Sequence, residues 1–418
     1  RMNNAVSGII KSLGSQKITS KSGKIKNSGT IISAKDATID AYQDFTNTGD
    51  IVAVTAPLQI TSRTQGLVNS GKVIAPKITI TGKNNIRNSD IIETSILDIT
   101  STAGGLSNSG TIKSLGTANI TIAKDFTNAG GLLFTNRNLT LNAGRELLND
   151  SEARIVSKSG MSLKATGKID NKGDIEAKER LLVVTDSSLD NSGNIQSDSN
   201  IILTSIEGMK NAISGVIKSI GSQTVTSQGK INNQGKIKSK DGSITLSTNA
   251  DIENAGKLVA KKDIKSEGSQ NILNSGSILA SRVLDLSTLG KFTNTQDANI
   301  GSIQDLTIVA NDGLDNQGEI LALDGITTIK SGKNIINREG GNITGALGAE
   351  ITADKSITNS GSVFSSRAVD INAEETIHNT DKGQIGSGQK LSISSRTDSI
   401  TNDGIIGAVD DVLLESAK

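Results

Sequence analysis

The chain has 418 residues and a formal net charge of +1, with 1% aromatic residues, two prolines and no tryptophan or cysteine. So few aromatics remove the usual bulk of a globular core, and the balanced charge removes a general attraction to nucleic acid or anionic membrane. The absence of cysteine excludes a disulfide framework and thiolate metal sites.

In chain order, one small signature returns: an apolar residue, then Asn two later, Gly two after that, then another apolar residue. It stands at Ile25-Lys26-Asn27-Ser28-Gly29-Thr30-Ile31, at Val68-Asn69-Ser70-Gly71-Lys72-Val73 and at Phe126-Thr127-Asn128-Ala129-Gly130-Gly131-Leu132. With the Asn as anchor, copies carrying Gly two residues on include Asn27/Gly29, Asn47/Gly49, Asn69/Gly71, Asn108/Gly110, Asn128/Gly130, Asn171/Gly173 and Asn191/Gly193. They continue at Asn233/Gly235, Asn254/Gly256, Asn274/Gly276, Asn316/Gly318 and Asn359/Gly361. Further anchors at Asn4, Asn88, Asn149, Asn211, Asn294, Asn337, Asn379 and Asn402 complete the series, with successive differences of 19 to 23 residues. No gap interrupts it, so residues 1–418 read as one continuous repeat region.

Two turn lengths are expected. In the short form the next apolar residue follows the Asn by four, as from Asn171 to Ile175. In the long form it follows by six, from Asn149 to Ile155, Asn211 to Ile217, Asn294 to Ile300, Asn337 to Ile343 and Asn379 to Ile385. An insertion of two keeps strand parity, so inward residues stay inward.

Within one unit, short alternations are split by polar corners. Thr111-Ile112-Lys113, Asn119-Ile120-Thr121-Ile122-Ala123 and Asp125-Phe126-Thr127 read as three strands. Helical spacing is not sustained anywhere, and no apolar run is long enough to span a membrane as a helix. Three short strands cannot bury a core alone, which makes stacking on like neighbours obligatory. The expected fold is all-β, a parallel β-helix of about twenty turns of roughly 20–22 residues, rising about 90 Å at the strand spacing. A longer echo, residues 4–16 against 211–223 at an offset of 207, points to block duplication. The opening Arg1-Met2-Asn3-Asn4 holds no leader pattern and the last unit stops before its third strand, so an interior slice of a longer protein is expected.

The Asn anchors are expected at one corner, tolerating left-handed backbone and bonding from turn to turn as amide ladders do. The Gly two residues on is expected to supply positive φ. Thr79, Thr121 and Thr140 suggest an outward threonine array, broken by Asp40, Lys164 and Val183. His378, the one histidine, lies between Ile377 and Asn379 and points outward by alternation, without a partner for metal or nucleophile. Asp36, Asp40 and Asp44 cluster, yet no matching cluster follows one unit later, as a carboxylate-based hydrolase or lyase would need. Phe45, Phe126 and Phe292 sit two before an Asn and face the core; Tyr42, Phe134 and Phe364 are isolated. No catalytic, cofactor-binding or metal-ligating residue is assigned, no cofactor is expected, and an enzyme is not.

The unit Asn-x-Gly-x-Ile … Ile-Thr-Ile … Phe-Thr-Asn resembles the filamentous haemagglutinin repeat, across essentially the whole chain. The resemblance implies a right-handed coil. It also implies a large exoprotein secreted to the surface of a Gram-negative bacterium through an outer-membrane two-partner-secretion transporter. Such proteins act as adhesins or as contact-dependent growth inhibition effectors that carry a toxin tip toward a host or neighbouring cell. The expected role of this stretch is a structural stalk. The alternatives are direct binding of receptors or glycans and, at a distance, a β-helix enzyme acting on polysaccharide.

Overall fold

The computed structural model describes every residue from Arg1 to Lys418 as strands and turns, with no helix. Two compact units divide it, Arg1–Ile206 and Glu207–Lys418. Each unit holds ten coils of a parallel β-solenoid, counted by their Asn-ended strands.

The coil that begins at Asn108 illustrates how residues become strands. Its strands are Thr111–Ser114, Ala118–Ile122 and Phe126–Asn128. Each pairs in parallel, without register shift, with the equivalent strand one coil later: Ile112 with Leu133, Ile120 with Leu141, Asn128 with Asn149. Side chains alternate across a strand, so Ile112, Ser114, Ala118, Ile120, Ile122, Phe126 and Asn128 all face inward. Lys113, Asn119, Thr121 and Thr127 face outward by the same alternation. Phe45, Phe126 and Phe292 are fully buried.

The Asn-ended strands form one narrow sheet in each unit, and the first and second strands of every coil form the other. A polar corner between first and second strands is not universal. Lys72–Gly82 and Ile91–Ser101 run through it as single strands of 11 residues. Pro76 and Ser95 stand where other coils place Gly or Ser turns.

Small residues occupy the inward places at the corners, where large ones would collide. Where that residue is Ser or Thr, its hydroxyl donates to the corner carbonyls. Ser114 Oγ reaches the oxygens of Ser95 and Thr117 at 3.1 and 2.8 Å, and Ser157 Oγ those of Arg137 and Gly160 at 2.9 and 3.0 Å. In the second unit Ser239 Oγ reaches Gly221 O at 2.8 Å and Thr248 Oγ1 reaches Gly229 O at 2.7 Å. The buried corner backbone is satisfied in this way.

A few inward positions in the aliphatic columns are polar, among them Ser266, Thr327 and Gln223. Gln223 is 1% exposed and stands where the following coils place Ile244 and Ile264. Its Nε2 donates to Lys238 O at 2.6 Å, but its Oε1 has no partner. An orphan of this kind costs about 1–3 kcal/mol. Gln16, its counterpart in the residue 4–16 echo, carries the same unpaired oxygen.

Candidate functional site

The Asn anchors end the third strand of each coil with their side chains inside, and every one except Asn402 is buried. Their amides stack. In the first unit Nδ2 of Asn4, Asn27, Asn47 and Asn69 donates to Oδ1 of the Asn one coil on, at 2.7, 2.8, 2.8 and 2.8 Å. The series continues through Asn88, Asn108, Asn128, Asn149 and Asn171 to Asn191, at 2.8 to 3.0 Å. The second unit repeats it from Asn211 to Asn402 at 2.7 to 2.9 Å.

Each amide also ties its own turn and the next. Asn27 Nδ2 is 3.0 Å from Gly29 O and 3.2 Å from Asp50 O. Asn171 Nδ2 is 3.0 Å from both Gly173 O and Asn194 O. The Asn and Gln amide carries two donor protons and an acceptor oxygen on one uncharged planar group, and Asn is short enough for this corner. At about 1 kcal/mol net per bond, the nine rungs of each unit contribute on the order of 9 kcal/mol to it.

The backbone corrects the expected reason for both halves of the signature. No Asn anchor has positive φ; Asp297 is the one non-glycine residue that does. The anchors are extended strand residues, and the chain turns after them. Among the glycines two residues after an anchor, Gly130 alone has positive φ, 69°. The others are required by contact. A Cβ on Gly29 would lie 2.1 Å from Gly8 O, on Gly49 2.0 Å from Gly29 O, and on Gly71 2.1 Å from Gly49 O. The same clash, at 2.0 to 2.3 Å from a backbone oxygen of the coil before, meets Gly110, Gly173, Gly193, Gly235, Gly256, Gly276, Gly318 and Gly361. These glycines stack directly on the preceding turn.

Gly130 differs because its turn is one residue longer. After Asn128 the inward residue is Leu133, fully buried, while Leu132, expected to face inward, is half-buried on the outer side. An odd insertion would reverse the faces. The left-handed Gly130 absorbs it, and Gly131 takes the stacking place, 2.7 Å from Asn108 O by the same measure.

The long turns insert two residues that close on themselves. Ala153 N donates to Asp150 O at 3.0 Å, Ala298 N to Thr295 O at 3.1 Å and Gly341 N to Arg338 O at 2.9 Å. Asn4 also carries a long turn, with Gly8 N on Ala5 O at 2.8 Å, which the spacing from Asn4 to Ile10 could have shown.

Outside, the residues with catalytic chemistry are dispersed. Asp36 accepts from Ser15 Oγ at 2.6 Å, which holds its carboxyl below the ordinary range. Asp40 takes a paired contact from Arg63, with Nε at 2.7 Å, which lowers its carboxyl likewise. Asp44 pairs with Lys24 at 2.6 Å. The three acids therefore engage separate partners. Asp170 and Asp190 do face one another across adjacent coils, with Lys168 2.7 Å from Asp190 and Lys172 3.6 Å from Asp170. Asp315 is the most enclosed acid, gripped by Arg338 at 2.6 and 2.8 Å and by Lys291 at 3.2 Å. The Arg338 bonds hold its carboxyl below the ordinary range. His378 Nε2 lies 2.9 Å from Asp403 Oδ2 on the half-exposed outer face.

The threonines resolve into two columns rather than one. Thr61, Thr81, Thr100 and Thr121 stand in register, and Thr79 and Thr140 belong to the neighbouring column with Asp98 and Asn119. Val183 is not part of either, since it is fully buried. A groove of about 640 Å³ crosses the narrow sheet of the first unit, with Arg87 and Lys124 beside the hydroxyls of Ser107 and Thr127.

Comparison with known proteins agrees with the geometry. Residues 153–235 and 342–418 match the haemagglutinin repeat family. No curated protein and no solved structure matches the chain. The two matched segments and the coils outside them share one strand order and the same buried, hydrogen-bonded asparagines, and the matched segments are similar to haemagglutinin repeats.

Proposed function

We propose that the chain is a stalk segment of a secreted surface filament, exported through an outer-membrane transporter partner. It would hold an adhesive or toxic tip away from a Gram-negative cell. The observation that carries this reading is the contrast between inside and outside. Every coil before the last repeats the buried Asn, the inward aliphatics and the stacked turn. The outward columns keep no chemistry for long: one runs Thr140, Ser162, Leu182, Ile202 over four successive coils. Repetition thus serves stacking, and each coil adds about 4.8 Å of reach.

Two variants of the secreted protein test this together. Excision of residues 254–273, one whole coil, joins Glu253 to Asn274 and preserves the signature. Such a variant is expected to reach the surface and to resist protease as the parent does. Ile120→Pro removes an amide from the middle of a doubly paired strand. It is expected to stall export or open one protease-sensitive site. Equal behaviour of the two variants, whether both intact or both lost, would sink the stalk reading.

A further inference from the structure

We propose that the second unit carries a self-complementary face on which two copies of this chain pair antiparallel. The outward middle column of the first strands, charged or polar in the coils just before it, loses its polar groups at Val259, Leu279, Gly301 and Leu321. Leu279 is 41% exposed, and Leu323 on the adjoining corner is 58% exposed. Gly301 interrupts the column, and the gap opens an apolar slot of about 360 Å³ between Leu279 and Leu321. A soluble surface rarely leaves a contiguous apolar strip of this kind uncovered.

The charges around the slot name the occupant. One flank of the strip presents Lys257, Ser277, Asn299 and Glu319 over four successive coils. On the other flank the second residue after each first strand is Lys262, Arg282, Gln304 and Asp324. Both flanks therefore run from basic to acidic in the same direction. Lys257, Lys262, Glu319 and Asp324 take part in none of the ion pairs seen within the chain, whereas Arg282 is held by Asp263 at 2.8 Å. A parallel copy would set like charges together. An antiparallel copy, related by a two-fold axis between the Leu279 and Gly301 coils, sets Lys257 against Glu319 and Lys262 against Asp324. The same operation lays Leu279 of each chain over Gly301 of the other and Val259 over Leu321. One axis thus satisfies the slot, the strip and both flanks. It is an isologous contact that closes at two copies.

Extended over the eight coils from Asn211 to Asn359 that this axis relates, the face covers about 700 Å² per chain at the strand spacing. That is near the size of an ordinary specific interface. The opposed charges then select the antiparallel register more than they add affinity.

The test uses the full chain in sedimentation equilibrium. The parent is expected to show a monomer–dimer equilibrium. Leu279→Asp, on an outward position that leaves the coil's inside untouched, is expected to abolish the dimer with unchanged circular dichroism. Lys257→Glu is expected to weaken dimerisation by about tenfold, and Lys257→Glu with Glu319→Lys to restore it to within about threefold of the parent. Because the chain has no cysteine, the register can be read directly. Ser281→Cys chains mixed with Ile303→Cys chains are expected to form a disulfide-linked pair faster than either preparation forms one alone. A chain that stays monomeric overturns the proposal, as does a dimer that survives Leu279→Asp. So does the absence of a disulfide-linked pair from the mixed preparation.

Discussion

Asn254→Leu is expected to destabilise the coils from Asn233 to Asn294 by about 3–5 kcal/mol, although leucine fills the space with apolar surface. The reason is what the change leaves behind. Asn254 Nδ2 serves Asn274 Oδ1 at 2.8 Å, Ser277 O at 3.1 Å and Gly256 O at 3.3 Å, and its Oδ1 accepts from Asn233 Nδ2 at 2.7 Å. Leucine strands the Asn274 oxygen and one Asn233 proton inside the coil, each costing about 1–3 kcal/mol. A stack of like coils unfolds in parts, so a single melting temperature is the wrong measure. Hydrogen exchange of backbone amides is the right one. Protection is expected to fall in the coils around residue 254 and to stay unchanged in coils remote from it within the second unit. An even loss along that unit, or none, would count against neighbour-only coupling.

Gly256→Ala is expected to cost more than about 4 kcal/mol, while Gly130→Ala costs about 1–2 kcal/mol. The two glycines occupy the same place in the signature. At Gly256 an added Cβ would sit 2.0 Å from Gly235 O and 2.6 Å from the carbonyl carbon of Gln234, both backbone atoms of the coil before. Neither can move without breaking Lys257 N to Gly235 O, a 2.8 Å bond that joins the coils. At Gly130 nothing lies within 4 Å of an added Cβ, and the cost is only that of holding alanine at a φ of 69°. Exchange protection of the two coils measures both. Comparable small losses at both positions would show that contact is not what demands glycine at residue 256.

That contrast also marks how far the sequence could be read. The period, the strand alternation and the even insertions were legible because stacking forces the same residue type to return at the same place. Asn27, Asn47 and their successors announced the ladder in this way. The reason for Gly29 or Gly71 was not legible. A positive φ and an approaching carbonyl both ask for a missing Cβ, and only the position of the neighbouring turn separates them. Leu132 and Leu133 could not be told apart for a related reason. Two adjacent leucines fit either face, and the odd insertion is resolved only by the backbone at Gly130. The corner hydroxyls did leave a signal, since Ser114, Ser157 and Ser239 each follow an inward aliphatic by two. The apolar strip left almost none, because Val259, Leu279 and Leu321 lie about twenty residues apart and meet only through register.

The central claim is that the recurring Asn is an internal hydrogen-bonded spine and not a surface ridge. Selective ¹⁵N labelling of asparagine, followed by side-chain amide exchange in solution, tests it most directly. The anchors from Asn27 to Asn379 are expected to give a resolved group of side-chain NH₂ signals that persist long after outward asparagines such as Asn119 and Asn299 have exchanged. Exchange of all asparagine side chains at the rate of a free amide would contradict the account.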